Sequence, residues 1–513
     1  MNNLKFFRTS FVNMLRFTRL AGFILITATC FSCSQKSEEW RIDTHKEWQQ
    51  ADKEQTGFSY KSGFAVPKEG NTVYKSVIRS FKSKQAAKSI VFKQDNRWLN
   101  WSPAGTIGPV NLGDAPVFLS LGPKNYWMFG RYTGVQNNRR DFNAVDTTLE
   151  GFDVPLKTTP FPNQYDAPGG LKEGLGGYHA WQSRDMVNWI HHGPVTEEFS
   201  KWVTTAEYVD GKAYIYYDYP NDQDPHLYID DDLTDGKPGE NMGMAFKDPA
   251  HGSDCAFIRD LEGNFHVIIE NWDPINARNH SWDSPLASHA VSPNGIDSFK
   301  ILDPAVDERT TPTGEVGEFI HPHWSKEHPD WDSDTAKYNI HEPEQDAYGD
   351  WAAIGIGGQY YLFADFHPAG KNSREMSVAW FTSSSLDQEF EFCGNIGQGH
   401  PDPDIGFAEG QFYLLTQTET DYVSSGPWVE KVEARVGADT DNDSEIDVWT
   451  DWQEVKESYD YVEGFAKQIK RIPASMDLRD LPEGYGFGFE LRVSNTTGNE
   501  VMPVLDNISL FFE

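Results

Sequence analysis

The chain has 513 residues, a formal net charge of −34 and 14% aromatic residues, a balance that speaks against a nucleic-acid partner, because phosphate binding needs a basic face. It leaves room for an anionic sugar, since a pocket can hold a few Arg residues on an acidic body. Long helical periodicity is hard to find, and Trp and Tyr recur through Gly- and Pro-punctuated segments, so an all-β chain is expected.

The first segment, MNNLKFFRTSFVNMLRFTRLAGFILITATCFSC, sets Lys5, Arg8, Arg16 and Arg19 before an apolar run from Leu20 to Phe31. A basic stretch followed by an apolar run too short to span a bilayer well is the pattern of a signal peptide, expected over residues 1–32. Its removal takes away four positive charges and no negative ones, so −34 becomes −38. TCFSC resembles a bacterial lipobox, which implies a lipid on Cys33, an outer-membrane anchor and, with the acidic SQKSEE that follows, exposure at the cell surface. A free or disulfide-bonded Cys33 is the alternative. Cys255 and Cys393 then remain, either paired or as two buried thiols, and no zinc-site spacing exists. Residues 33–99 read as an N-terminal segment leading into the main domain, with one short helix near DTHKEWQQADKEQ.

From residue 100 a repeat appears. GDAPVFLSLGPKNYWMFGRY from Gly113, VTTAEYVDGKAYIYYDY from Val203, SDCAFIRDLEGNFHVIIEN from Ser253, GDWAAIGIGGQYYLFADF from Gly349 and GHPDPDIGFAEGQFYLL from Gly399 share one plan. Each is a short strand, a Gly-containing turn and a strand rich in aromatic and β-branched residues. Asp114, Asp254, Asp350 and Asp402 precede the first strand in four of the five copies; the Val203 copy lacks the Asp. A second element, a strand ending in a small or Ser residue followed by a polar turn and an aromatic, follows some copies from Tyr178, Ala287 and Val378.

Five inner hairpins with outer strands between them predict a five-bladed β-propeller over residues 100–423. The starts of the innermost strands then converge on one end of the central channel, although Asp114 and Asp402 are 288 residues apart in sequence. An Asp at any one such turn is as readily a cap for backbone N–H groups. Several converging carboxylates repel, and the set asks for a functional reason.

After residue 424 the pattern changes to alternating apolar strands, read as a small β-sandwich over 424–513, with the alternative that its first strands complete the last blade. Within it Asp439, Asp441, Asp443 and Asp447 form D-x-D-x-D-x-x-x-D, and alternating carboxylates on a turn suit Ca²⁺. Ser444 and Thr450 stand where an EF-hand loop needs Gly and Glu, so full EF-hand coordination is not expected, and a solvated acidic turn is the other reading. No organic cofactor is expected.

DCAFIRDLEGNFHV around Asp254 resembles the D-P-x-x-F-x-D-x-D-G-x-x-Y segment of the five-bladed glycoside hydrolases of families 43 and 32. HAWQSRDMVNWIHHG resembles their S-x-D-x-x-x-W blade turn, and GQGHPDPDIGF the fifth-blade G-x-G-H segment of family 43. The resemblance covers about residues 100–420. It implies a glycosidase in which Asp114 matches the general base and Asp254 the Asp that adjusts the acid. The family's Glu-Gly-Pro is missing, and Asp350, ahead of Glu344, is the expected general acid. His400 matches a fifth-blade His that lies near the axis and helps hold an ion or water. Arg131, Arg139, Arg140, His179, Trp181 and Trp202 fall in or beside blade elements, and of these Arg131, His179 and Trp202, with His400, are the expected substrate-binding residues. Trp faces stack on sugar rings and Arg forks to carboxylate or sulfate.

The first expectation is therefore an inverting glycoside hydrolase acting on oligosaccharides from plant or algal polysaccharides, anchored to the outer membrane. The second is a dehydratase or lyase on uronate-terminated oligosaccharides, and the third a non-catalytic glycan-binding propeller. Three carboxylates in the axial pocket with one raised pKa would favour hydrolysis. An Arg facing a His or Tyr would favour elimination, and neither would favour binding.

Overall fold

The computed structural model describes residues 38–55, 57–61, 64–68, 72–94, 97–98, 100–133, 146–171, 177–197, 201–219, 225–249, 254–271, 286–307, 346–368, 376–399, 401–428, 432–493 and 505–513. The expected signal peptide and Cys33 lie outside them. The expected short helix is His45–Ala51, opened by a capping box in which the Thr44 side chain accepts from the Glu47 N–H and Glu47 reaches back.

Five sheets, each built on four antiparallel strands, form the blades among the described residues. The first contains Leu112–Ser120, Tyr126–Tyr132, Tyr178–Ser183 and Trp189–Pro194, extended outward by Gln164–Asp166, Leu156–Thr158 and Asp146–Thr147. Trp202–Val209, Lys212–Asp218, His226–Asp230 and Glu240–Met244 make the second. Ala256–Arg259, Phe265–Glu270, Ala287–Ser292 and Lys300–Val306 make the third, and Ala347–Ile356, Gln359–His367, Ser377–Ser383 and Glu391–Ile396 the fourth. The fifth joins Asp404–Ala408, Gln411–Leu415 and Asp421–Ser424 to Ser102–Gly105, which comes from the other end of the domain. Each innermost strand packs against that of the next blade, and Asp404–Ala408 packs against Leu112–Ser120, so the ring is closed. Ser102–Gly105, as the outer strand of the fifth sheet, ties the start of the domain to its last blade. It also excludes the alternative in which strands after 424 complete the last blade.

The sandwich differs from the expectation in where its strands come from. One six-stranded sheet joins Glu39–Ile42, Phe58–Lys61, Phe64–Pro67, Ala87–Gln94 and Ala474–Asp477 to Leu505–Phe512. The other joins Thr72–Lys75 and Arg79–Gln85 to Val432–Asp439, Val448–Trp449, Gln453–Val455 and Gly484–Val493. The segment assigned to propeller entry therefore supplies about half of the sandwich strands. The cause is burial: Val432, Ala434, Val436 and Ala438 present a continuous apolar face, and Ile90, Phe92, Trp48 and Tyr74 help to cover it.

A hairpin of Ser458–Tyr461 and Gln468–Ile472 leaves the sandwich and closes the channel at the end away from the axial aspartates. Gln468 and Ile469 pair with Gly355 and Ile356, at the far end of the strand that carries Asp350. Lys467, almost fully buried, donates to Thr205 Oγ1 at 2.6 Å and to the Phe257 carbonyl at 2.9 Å. Burial pushes the Glu207 and Asp404 carboxyls up, and the Lys467 charge opposes that push on both. A buried cation between two buried carboxylates ties the sandwich to the propeller core.

Asp404 accepts from Phe118 N at 2.5 Å and Ile405 N at 2.8 Å, and Asp421 from Ile107 N at 2.8 Å and Thr416 N at 2.9 Å. Burial outweighs these bonds and raises both carboxyls to about 6. A folded pKa above the unfolded one gives stability that is full below the unfolded value and is lost as pH rises through the folded one. On acidification from about pH 7.5 to about pH 5 each group is thus expected to add about 1.4 kcal/mol, against the opposite trend of the buried His192 and His289, and Asp404→Asn and Asp421→Asn should each remove that increment from the pH dependence of melting. Scanning calorimetry across that window in about 0.5 M salt, which screens surface repulsion, checks this. A pH dependence of melting identical in both variants and the unsubstituted chain would sink it.

Candidate active site

The innermost strands do not start smoothly. Strand pairing slips between Gly113 and Val117, between Val203 and Thr205, and between Gly349 and Ala352. Asp114, Asp254, Asp350 and Asp402 have φ of 67°, 42°, 52° and 40°. That left-handed region is uncommon for residues other than Gly, and Asp is among the side chains that tolerate it best. A bulged turn frees backbone N–H groups from the sheet ladder, and inside a propeller they need other acceptors.

The acceptors come from the neighbouring blade. Asp218 at the end of the second strand of blade 2 takes the N–H of Asp254 at 3.2 Å, Glu270 at the end of the second strand of blade 3 that of Asp350 at 3.3 Å, and Asp365 near the end of the second strand of blade 4 that of Asp402 at 2.9 Å. Register makes these positions equivalent. Arg131, Asp218, Glu270, Asp365 and Gln417 each stand two residues beyond Phe129, Tyr216, Ile268, Phe363 and Leu415. Those five residues pair with Val117, Thr205, Ala256, Ala352 and Asp404 of the inner strands.

Around Asp114 the surroundings are of the opposite kind. Arg131 Nε lies 2.5 Å from its Oδ2, the Tyr178 hydroxyl donates to Oδ2 at 3.2 Å, and Gln417 Nε2 donates to Oδ1 at 3.1 Å. The Arg131 guanidinium stacks over Trp202 at 4.6 Å and near Tyr178 at 5.7 Å from the ring centres. Burial, then the Asp114 charge, pushes the Tyr178 hydroxyl well above its ordinary range.

Asp350 sits among acceptors. Oxygens of Asp350, Asp365 and Asp402 lie within 4.8 Å of one another. Burial first, then the charges of Asp402, Asp254, Asp365 and Glu270, hold the Asp350 carboxyl well above the usual carboxylate range. The site therefore has one carboxyl poised to carry a proton and another facing a guanidinium.

The structure thus groups Asp114 with Arg131 and Trp202 and sets Asp254 beside Asp350. It corrects the expectation for His179, whose fully buried ring stacks on Tyr132 and His191, with Nδ1 2.7 Å from His191 Nε2. Its strand position turns it into the packing layer of blade 1, so it offers no surface to a sugar. Trp181 packs in the same layer. Glu344, His400, Arg139 and Arg140 lie outside the described residues. Cys255 and Cys393 are free thiols.

Sequence reasoning missed Asp218, Glu270, Asp365, Gln417 and Tyr178. A signal was present: every hairpin carries a polar or charged residue within two positions of the end of its second strand, as in YIYYD, VIIE and LFAD.

In the sandwich, oxygens of Asp439, Asp441 and Asp447 lie within 4.8 Å of one another, close enough for one hard cation to bridge. Asp443 is not in that group; its Oδ1 accepts from Glu445 N at 2.8 Å. Asp439 accepts from Asn442 N and Ser444 N, and Asp447 from Thr440, so hydrogen bonds of the turn itself account for its fold.

No family model and no curated protein matches the chain. Among solved structures it is similar to a thermostable family-43 glycoside hydrolase, at 12% identity over 71% of this chain and 93% of that one, with a TM-score of 0.35. It is similar to an endo-arabinase from Bacteroides thetaiotaomicron, at 11% identity over 64% and 98% with a TM-score of 0.37. An exo-β-1,3-galactanase from Phanerochaete chrysosporium, solved with galactose, is 10% identical over 80% and 100%, with a TM-score of 0.36. Likenesses this distant decide nothing about the chemistry, and the propeller rests on its own strand pairing.

Proposed function

We propose that this protein is a carbohydrate-active enzyme that hydrolyses glycosidic bonds in oligosaccharides, with Asp350 as general acid and Asp114 as general base. The observation that carries the reading is the opposed environment of the two side chains: Asp350 is half-buried among four carboxylates, Asp114 faces Arg131. Glycosidic cleavage needs one carboxyl protonated to release the leaving oxygen and one ionised to activate water. In this scheme Asp254 and Asp402 act through their charge to keep the proton on Asp350. Trp202, with Arg131 beside it, stands at the mouth where a sugar ring and its polar substituents would be held. Inversion is the expected stereochemistry, with a lipid on Cys33 placing the enzyme at the outer membrane and plant or algal oligosaccharides as substrates.

Elimination on a uronate is the second reading, motivated by Arg131 and Tyr178 lying side by side. Its weakness is the base: a tyrosine hydroxyl held well above its ordinary range, donating to Asp114, is a poor proton acceptor. Incubation with defined neutral and uronate-terminated oligosaccharides separates the two. Reducing ends released without the ultraviolet absorbance of an unsaturated uronate are the expected result, and absorbance rising in step with cleavage would overturn hydrolysis.

A further inference from the structure

We infer that Glu270 is a positioning residue for Asp350, one member of a ring of second-strand end groups that sets the surroundings of the axial aspartates. The inference rests on the proposed hydrolytic roles and goes beyond them by saying which residues distribute those roles. Five equivalent positions carry Arg131, Asp218, Glu270, Asp365 and Gln417. Three of them, the carboxylates, each accept the N–H of the next blade's aspartate; of the other two, Arg131 forms an ion pair with the side chain of Asp114 and Gln417 donates to it. Four aspartates that look alike in sequence are thereby placed in two kinds of site. Those held by acceptors receive negative charge, and the one between donors receives positive charge or N–H dipoles.

Glu270 performs two separable tasks. Its Oε1 fixes the backbone of a residue in the left-handed region, which aims the Asp350 side chain. Its charge also adds to the field on the Asp350 carboxyl. Among the described residues the other charged groups facing Asp350 are Asp402 from blade 5, Asp254 from blade 3 and Asp365 from its own blade, all of the same sign. Glu270 is almost fully buried, so its field is poorly screened by salt.

Two substitutions separate the tasks. Glu270→Gln keeps an oxygen for the Asp350 N–H and removes the charge; Glu270→Asp keeps the charge and withdraws the oxygen by one methylene. The expected result for Glu270→Gln is an alkaline limb of the kcat/KM profile moved about one pH unit lower, with the plateau and the acidic limb little changed. For Glu270→Asp the limb stays and the plateau falls about tenfold. Equal losses in both variants with both limbs unmoved would mark Glu270 as merely structural and overturn the inference.

A substrate-free measurement keeps this result distinct from the hydrolytic reading. The infrared band of the protonated Asp350 carboxyl, identified by its loss in Asp350→Asn, is titrated in the full chain with and without Glu270→Gln. A midpoint that falls in the variant supports the inference even where no glycoside is cleaved. An unchanged midpoint overturns it even where cleavage is observed. The same titration in Glu270→Asp, in which the midpoint is expected to stay near that of the unsubstituted chain, covers the case in which the Gln variant does not fold.

Discussion

Asp114→Asn is expected to lower kcat/KM on oligosaccharides by about a thousandfold, with a much smaller change in KM, because general-base catalysis contributes on the order of 10²–10⁴. Asn preserves the volume and one acceptor for Tyr178, and removes the charge that faces Arg131. The loss therefore falls on proton transfer from water rather than on the shape of the pocket. Steady-state kinetics with a defined oligosaccharide check it, alongside thermal melting to show that the variant is folded. Retained turnover would remove Asp114 from the mechanism, and with it the pairing of acid and base across the mouth.

Asp350→Asn is expected to have the second large effect, and one that depends on the leaving group. A sugar alkoxide leaves poorly without a proton, so kcat on natural oligosaccharides should fall about 10²–10⁴-fold. An aryl glycoside whose phenol is already acidic should lose far less, and the alkaline limb of the pH profile should disappear. A uniform loss on both substrates would assign Asp350 to binding instead.

Stability should move the other way. The folded pKa of Asp350 is raised, so its contribution is full below the unfolded value and is lost as pH rises through the folded value. A neutral amide escapes that loss, and Asp350→Asn is expected to melt higher than the unsubstituted chain at about pH 8, measured by calorimetry. An enzyme that holds a carboxyl among four others stores instability where the chemistry needs it.

The repeat was legible because a propeller writes its inner hairpin five times. A Gly turn between two apolar strands is a local pattern, and Asp114, Asp254, Asp350 and Asp402 stand eight or nine residues before its Gly. Their convergence followed from the geometry of blades around an axis. What escaped was contact across blades. Nothing in YIYYD near Asp218 says that its carboxylate meets the N–H of Asp254, because the path between blades runs through loops of unrelated length. His179 misled for a related reason: alternation along a strand puts neighbours on opposite faces, and only packing tells which face is the mouth. Its neighbour Tyr178 is the one that reaches Asp114.

The sandwich teaches the same lesson at larger scale. Val432, Ala434, Val436 and Ala438 announced a buried face, yet the strands that help to cover it lie more than 300 residues earlier. Periodicity records how much apolar surface an element must bury and in which direction, since those depend on its own side chains. It holds no record of the partner.

For this protein, then, the sequence by itself determined the all-β class, the repeat and the four aspartates at its turns, because strand alternation, glycine turns and left-handed aspartates are local consequences of residue type. Only the tertiary structure decided that Asp350 lies among carboxylates while Asp114 lies between Arg131 and Gln417, and that the sandwich reaches through Lys467 into the channel. Electrostatic environment is a sum over neighbours in space, and folding alone selects those neighbours.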